Sequence, residues 1–316
     1  MDDSKSRQNC DHDGSTHDAV PERRLPRGRR RNRPWEDGGL AARLTIDESA
    51  MAVEVVERVP RRWDRLVRLV GEASVRKLLN SHVAVFGLGG VGSYAVEALA
   101  RSAVGHLTIV DFDDVCVTNI NRQLQAFPGT VGQSKSELLA ERVRAINPDA
   151  IVDPVQAFYD AANSAALLSP QPDFVVDAID NVTAKIHLIT TCLSNNIPMI
   201  SVSGSGARLD PTQVRVSDVS QTRHDPLARV IRKELSRRGY DTSKNVGLPV
   251  VFSEEAIRQP AVPDWDEHGF RCICPHAADS PHACEQRRII YGTAAFVTAA
   301  FGMAAASVAV RKLTGN

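Results

Sequence analysis

Chemistry-bearing residues gather between positions 87 and 180 of this 316-residue chain. The run GLGGVGS at 87–93 supplies four glycines in a pattern that can cradle phosphate. Gly87 permits a tight turn, Gly89 and Gly90 let backbone approach an oxyanion, and Gly92 lets a helix pack closely on a strand. A helix that opens there offers unpaired N–H groups and a partial positive charge. Further on, DFDDVCVTNINRQ begins at Asp111 and contains Asp113, Asn119, Asn121, Arg122 and Gln123. A carboxylate at Asp111 can accept hydrogen bonds from ribose hydroxyls. These features alone fit NAD as readily as ATP.

Two cations and two acids separate those readings. Arg122, and Lys135 in VGQSK, would lie at the same end of the sheet, where a redox dinucleotide needs no such charge. A triphosphate does need it: arginine supplies a bidentate fork, and lysine a point charge, for the negative charge that grows during phosphoryl transfer. Asp177 and Asp180, in DAIDN, are carboxylates that can hold Mg²⁺ against phosphates. Each charge alone could be a solvated residue or a cap; the ordered set points to ATP with Mg²⁺.

Strands and helices must alternate to place these residues. HVAVFGLGG reads as a buried strand ending in glycines, VGSYAVEALARSAVG as a helix, HLTIVDFD as a second strand and SKSELLAERVRAINP as a helix ended by Asn-Pro. AIVDPVQAF, DFVVDAID and IPMISVSGSG read as further strands, and TAKIHLITTCLSNN as another helix. Residues 61–81 carry apolar positions at helical spacing, broken near Gly71. The pattern predicts an α/β, Rossmann-like, doubly wound and mostly parallel sheet, with an irregular C-terminal half from about residue 207.

In this order, the glycine loop, D-x-D, N-x-N-R-Q, G-x-x-K and D-x-x-D-N resemble the adenylyltransferases related to ubiquitin-activating enzymes, which include the molybdopterin and thiamine sulfur-carrier activators. The resemblance implies that Asp111 binds ribose, Arg122 and Lys135 bind phosphates and Asp180 binds Mg²⁺. It further implies attachment of AMP to a carboxylate with release of pyrophosphate. It also implies a homodimer, in which Arg65 or Arg68 reaches the partner's nucleotide. The segments at 210–239, 250–255 and 284–313 resemble the tRNA threonylcarbamoyladenosine dehydratase branch. That branch implies a tRNA partner decoding ANN codons, whose threonyl carboxylate beside the anticodon is adenylated and then closed into a ring. A sulfur-relay protein is a second implied partner. The alternative within the family is activation of a ubiquitin-like sulfur carrier. Some branch members carry a cysteine just before VFS; here that place is Val250, so the resemblance does not extend to a thioester there.

The remaining features bear on partners. RVIRKELSRRGYDTSK carries Arg229, Arg232, Lys233, Arg237 and Arg238, which reads either as an RNA-facing surface or as a solvated helix face. Cys272, Cys274, His276, His282 and Cys284 have side chains that suit Zn²⁺, but the paired C-x-x-C spacing of sulfur-carrier activators is missing, and a loop of free thiols is the other reading. Cys192 and Cys116 read as core residues. Residues 293–310 hold no charge and allow a membrane-associated helix, although their Ala, Gly, Ser and Thr favour a helix buried in the core or in a dimer interface. Residues 1–58 read as a disordered arm, with seven arginines between Arg23 and Arg33; the arm is either an RNA tether or an extension ahead of a start at Met51. The catalytic unit is then expected over 59–316. Charges balance, at 38 Lys plus Arg against 38 Asp plus Glu, which excludes a generic polyanion coat. Few cysteines and no secretory signal indicate a cytoplasmic protein.

Overall fold

A computed structural model of the chain describes residues 59–263 and 290–316. The expected arm at 1–58 and the cluster Cys272, Cys274, His276, His282 and Cys284 lie outside the described residues.

In chain order the elements are α1 (Asp64–Val70), α2 (Glu72–Leu79), β1 (His82–Phe86), α3 (Gly92–Arg101), β2 (His106–Val110), α4 (Lys135–Ile146), β3 (Ile151–Val155), α5 (Ser164–Leu167), β4 (Phe174–Asp177), α6 (Val182–Ser194), β5 (Met199–Val202), β6 (Val214–Asp218), α7 (Pro226–Arg237), β7 (Pro249–Ser253) and α8 (Ala295–Thr314). They build one seven-stranded sheet in the order β3-β2-β1-β4-β5-β7-β6. All neighbours are parallel except β6, which runs antiparallel to β7 at the edge. The chain therefore winds outward from β1 to β3, returns beside β1 as β4, and winds outward again. That reversal leaves a crevice at the carboxyl ends of β1 and β4, where doubly wound sheets bind ligands.

Alternation along β1 sorts its side chains to two cores. Val83 and Val85 face one side with α3 and α8, whereas Ala84 and Phe86 face the other with α6 and α7. Strands covered on both faces need apolar residues at every position, and β1, β4 and β5 have nearly that composition.

The described part of the C-terminal half adds β6 and β7 to the sheet and two long helices, α7 and α8, joined by irregular segments. The pairing partners β6 and β7 are separated by α7 in sequence, and β6 is half-exposed, so local periodicity says little about them. α8 is long and apolar enough to cross a membrane by length and composition. Val297, Phe301, Ala305 and Ala309, however, form a buried face against α3 and the sheet. Gly302 makes that approach possible, because a Cβ there would come within 2.4 Å of the Val91 carbonyl oxygen.

Candidate nucleotide-activating site

The loop after β1 turns at Gly87, whose φ is +87°. A Cβ at Gly87 would meet the Ala178 carbonyl oxygen at 2.7 Å, and one at Gly92 would meet the Gly87 carbonyl oxygen at 1.7 Å. Both glycines are therefore required by close approach, the first to the β4 loop and the second to the turn itself. The Gly87 amide donates to Val110 O, and the Leu88 amide donates to Asp111 Oδ2 at 2.5 Å. α3 then begins at Gly92 with no side-chain cap; the Ser93 amide donates back to Gly89 O at 3.1 Å, while the amides of residues 89–92 have no acceptor among the described residues.

Asp111 stands at the end of β2 and is 8% exposed. Its second oxygen accepts from the Asp113 amide at 2.8 Å. Burial raises its proton affinity, and the nearby Lys135 opposes that rise. Lys135, the first residue of α4, is 4% exposed and donates to Asp113 Oδ2 at 2.7 Å. Burial works against its charge, but Asp111 and Asp113 outweigh burial and hold its pKa above the ordinary lysine value, with Asp180 adding to them. The ammonium is thus fully charged at neutral pH. Lys135, Asp111 and Asp113 are brought together, and Asp180 lies on the rim within electrostatic reach.

Asn119, Arg122 and Gln123 occupy a turn that covers the glycine loop. Asn119 Oδ1 accepts from the Cys116 amide at 3.0 Å and shapes the turn. Arg122 donates to Thr118 O at 2.7 Å and to Asn121 Oδ1 at 3.0 Å. Its Cγ and the Thr298 side chain each stand 3.2 Å from where a Gly90 Cβ would sit, and Gln123 Nε2 is 3.8 Å from that position at Gly89. Gln125 and Thr298 escaped the sequence reading. Gln125 Nε2 donates to Leu88 O at 2.9 Å, while its buried Oε1 has no partner among the described residues. Its place two residues after Gln123 was the available signal. Thr298 reaches the loop from α8, and no spacing rule links positions so far apart.

Asp177 requires a correction. It is fully buried, pairs with Lys185 Nζ at 2.6 Å and accepts from Ser201 Oγ at 2.6 Å. Its other oxygen accepts from the Ile179 amide at 3.1 Å. The carboxylate therefore knits β4, β5 and α6 together inside the protein and does not sit beside Asp180 as a ligand. The basic helix also divides. On α7, half-buried Arg232 donates inward to the Thr222 hydroxyl, to Thr222 O at 3.0 Å and to Val219 O at 3.3 Å. Arg237 and Arg238 both pair with Glu234, at 2.6 and 2.7 Å. Arg229 and Lys233 face solvent. Arg232 is thus committed to carbonyls and is withdrawn from the expected phosphate-facing set.

Cys116 and Cys192 are buried, and burial pushes the Cys192 thiol up to about 12. Val250 lies in the core on β7. On α1, Arg68 pairs with Asp64 at 2.9 Å and Arg65 is exposed. Among the described residues no group of three His, Cys, Asp or Glu is placed to hold a metal ion.

A glycine turn, an uncapped helix start, a buried acid and a charged lysine at one switch point can together bind a nucleotide and stabilise charge on its phosphates. The model of the ThiF family matches residues 63–316. The chain belongs to the ThiF family. Among ThiF proteins, the tRNA threonylcarbamoyladenosine dehydratase of Escherichia coli is 39% identical over 267 residues, covering 83% of this chain and 97% of its own. The molybdopterin-synthase adenylyltransferase of the same organism is 39% identical over 133 residues, or 42% of this chain and 52% of its own. Crystal structures of the E. coli dehydratase with AMP and with ATP match this ThiF chain at TM-scores of 0.70 and 0.68, with 38% and 37% identity, each covering 81% of this chain and 94% of theirs.

Proposed function

We propose that this chain is an ATP-dependent enzyme that adenylates the threonyl carboxylate of threonylcarbamoyladenosine in tRNA and drives its cyclisation with net loss of water. The observation that carries this reading is extent: similarity to the E. coli dehydratase runs over 83% of the chain, into the half that builds β6, β7 and α8, whereas similarity to the molybdopterin-synthase adenylyltransferase stops at 42%. The missing C-x-x-C pairs weigh the same way against a sulfur-carrier activator.

In the first step a carboxylate oxygen attacks the α-phosphorus of ATP, and the bond to pyrophosphate breaks. In the second, a nucleophile of the same modified base attacks the acyl carbon, and AMP leaves with the bonding electrons. AMP is a far better leaving group than hydroxide, which is why ATP is consumed. The amides at residues 89–92 hold phosphate oxygens, Asp111 accepts from the ribose, and Lys135 and Arg122 neutralise the charge that grows on the phosphates. Asn119, Gln123 and Asp113 set the positions of those groups.

A single rim carboxylate suits Mg²⁺, which keeps several waters and takes its remaining ligands from phosphates. Asp180 is exposed on that rim, so it would hold the ion, which screens phosphate charge when bound. Asp180→Asn then shifts the Mg²⁺ titration of activity about tenfold upward; an unchanged curve contradicts the role.

Arg229 and Lys233 are proposed to meet tRNA phosphates in the cytoplasm, and residues 59–316 to be the functional unit. A homodimer would cover the outer face of α8, where Phe296 is 55% and Met303 44% exposed. Phe296→Asp should then shift the sedimenting species from dimer to monomer. The primary test is AMP formation from ATP: it requires tRNA bearing threonylcarbamoyladenosine, and formation driven equally well by a ubiquitin-like protein overturns the reading.

A further inference from the structure

The loop after β5 carries a second set of amides, at residues 204–206, with no acceptor among the described residues. Arg208 is 1% exposed at its side chain and pairs with the fully buried Asp225 at 3.1 Å. Asp225 also accepts from Ser203 Oγ at 2.6 Å and caps α7 through the Ala228 amide at 2.9 Å. The same guanidinium donates through Nη1 to Gly204 O and, at 3.1 Å, to Gly206 O. Two carbonyls of the loop are therefore drawn toward Arg208 and the α7 side of the sheet.

Peptide planarity then fixes where the loop amides point. In a trans peptide the N–H points opposite to the carbonyl of the preceding residue. With Gly204 O turned toward Arg208, the Ser205 N–H points away from it, and with Gly206 O turned likewise, so does the Ala207 N–H. The Ala207 amide donates to Gly292 O at 2.7 Å, which shows that the outward side is the segment leading into α8. A Cβ at Gly206 would stand 3.2 Å from Tyr291 Cβ and 3.6 Å from Thr293 Cγ2. That same segment reaches the nucleotide loop: Asn121 Nδ2 donates to Thr293 O at 2.9 Å, and Thr298 abuts Gly90. Neither the Ser205 amide nor its hydroxyl has an acceptor among the described residues, and Ser205 is half-exposed.

We propose that the Ser205 amide and hydroxyl receive the carboxyl group of the acyl substrate across the crevice from the phosphate loop, and that Arg208 is the residue positioning them. This rests on the proposed carboxylate-adenylating function. Donors fixed before the reaction stabilise both the carboxylate and the oxyanion that forms on the same carbon during ring closure. Arg208 contributes through geometry, since its charge is spent on Asp225 and the two carbonyls.

The test uses the full-length protein with tRNA that carries or lacks the threonylcarbamoyl group. Ser205→Pro removes the amide donor and the hydroxyl; the preceding residue is Gly204, which has no Cβ to clash with the proline ring. It should lower kcat for AMP formation roughly 100-fold. Ser205→Ala removes only the hydroxyl and should lower kcat about tenfold. Arg208→Lys keeps the charge and loses the fork, so the binding preference for carboxyl-bearing over unmodified tRNA, read as the ratio of their Kd values, should collapse toward one. In all three, ATP affinity measured without tRNA should stay at the wild-type value. Wild-type preference and kcat in Ser205→Pro and Ser205→Ala overturn the proposal, whether or not Arg208→Lys folds. If the wild-type protein itself forms no AMP with modified tRNA, the functional reading fails and this one falls with it. If the wild type is active and the variants match it, only this inference fails.

Discussion

The loop after β1 and the loop after β5 edge the same crevice, yet they are held by opposite means. At residues 87–92 the turn is shaped by missing side chains: a Cβ at Gly92 would lie 1.7 Å from the Gly87 carbonyl oxygen. Acceptors from outside then take its amides, with Asp111 receiving Leu88. At residues 203–208 the turn is shaped by one added side chain, Arg208, which gathers carbonyls from inside and leaves amides facing outward. A backbone cradle can be made either by removing bulk or by clamping oxygens. Only the first leaves a spacing that can be read along the sequence.

That contrast can be broken by substitution. The largest effects belong to the charges beside the first loop. Arg122→Ala and Lys135→Ala should each lower AMP formation by roughly 10²- to 10³-fold with ATP still bound, as expected for groups that act on growing charge. Normal turnover in either variant would show that the cations do not serve the phosphates. Next, Gly92→Ala forces the turn apart and should raise the ATP Kd roughly 100-fold, equivalent to about 2.7 kcal/mol. Unchanged ATP affinity in calorimetry would mean that the glycine loop is not the phosphate cradle.

The same contrast separates the residues legible in the sequence from those that were not. The glycine loop, Asp111 and Asp180 could be placed from the sequence because they follow the ends of β1, β2 and β4, and Lys135 because it opens α4. Asp177 was misplaced because strand-end carboxylates look alike in sequence, and only the fold shows that Lys185, eight residues on, turns back to neutralise it. Gln125 and Thr298 contact the glycine loop through tertiary packing, and Arg208 is fixed beside the loop after β5 by a salt bridge to a helix cap 17 residues away. The antiparallel β6–β7 pair went unread because its partners are separated by a helix and one strand is half-exposed.

Two further interventions, read in stability and not in turnover, sharpen the comparison by acting between the loops and away from both. Lys185→Met leaves the Asp177 carboxylate buried without its partner, which destabilises the fold by about 3–5 kcal/mol. Because Asp177 sits inside the sheet, thermal unfolding should shift while ATP affinity of the folded protein holds. Lost ATP affinity with unchanged melting would instead make Asp177 a ligand. At the amino ends of β1 and β2, away from the crevice, the His82 and His106 rings stack at 3.8 Å, and His82 Nε2 meets Thr108 Oγ1 at 2.8 Å. Burial, then His106, hold the His82 pKa down to about 4 from an ordinary 6.5, against the weaker pull of Asp173 and Asp153. The unfolded chain then binds a proton that the folded one resists, so stability is lost as pH falls from 6.5 toward 4. His82→Gln should flatten that part of the melting profile and leave catalysis untouched; parallel profiles would exclude His82 as a source of the acid sensitivity.

The central claim is that the crevice activates a carboxylate on RNA with ATP. The most direct measurement is mass spectrometry of nucleosides from tRNA bearing threonylcarbamoyladenosine after incubation with the purified protein and ATP. The account predicts conversion of that nucleoside to a product lighter by one water, dependent on ATP and abolished in Lys135→Ala. Unchanged nucleoside alongside normal ATP binding would contradict it.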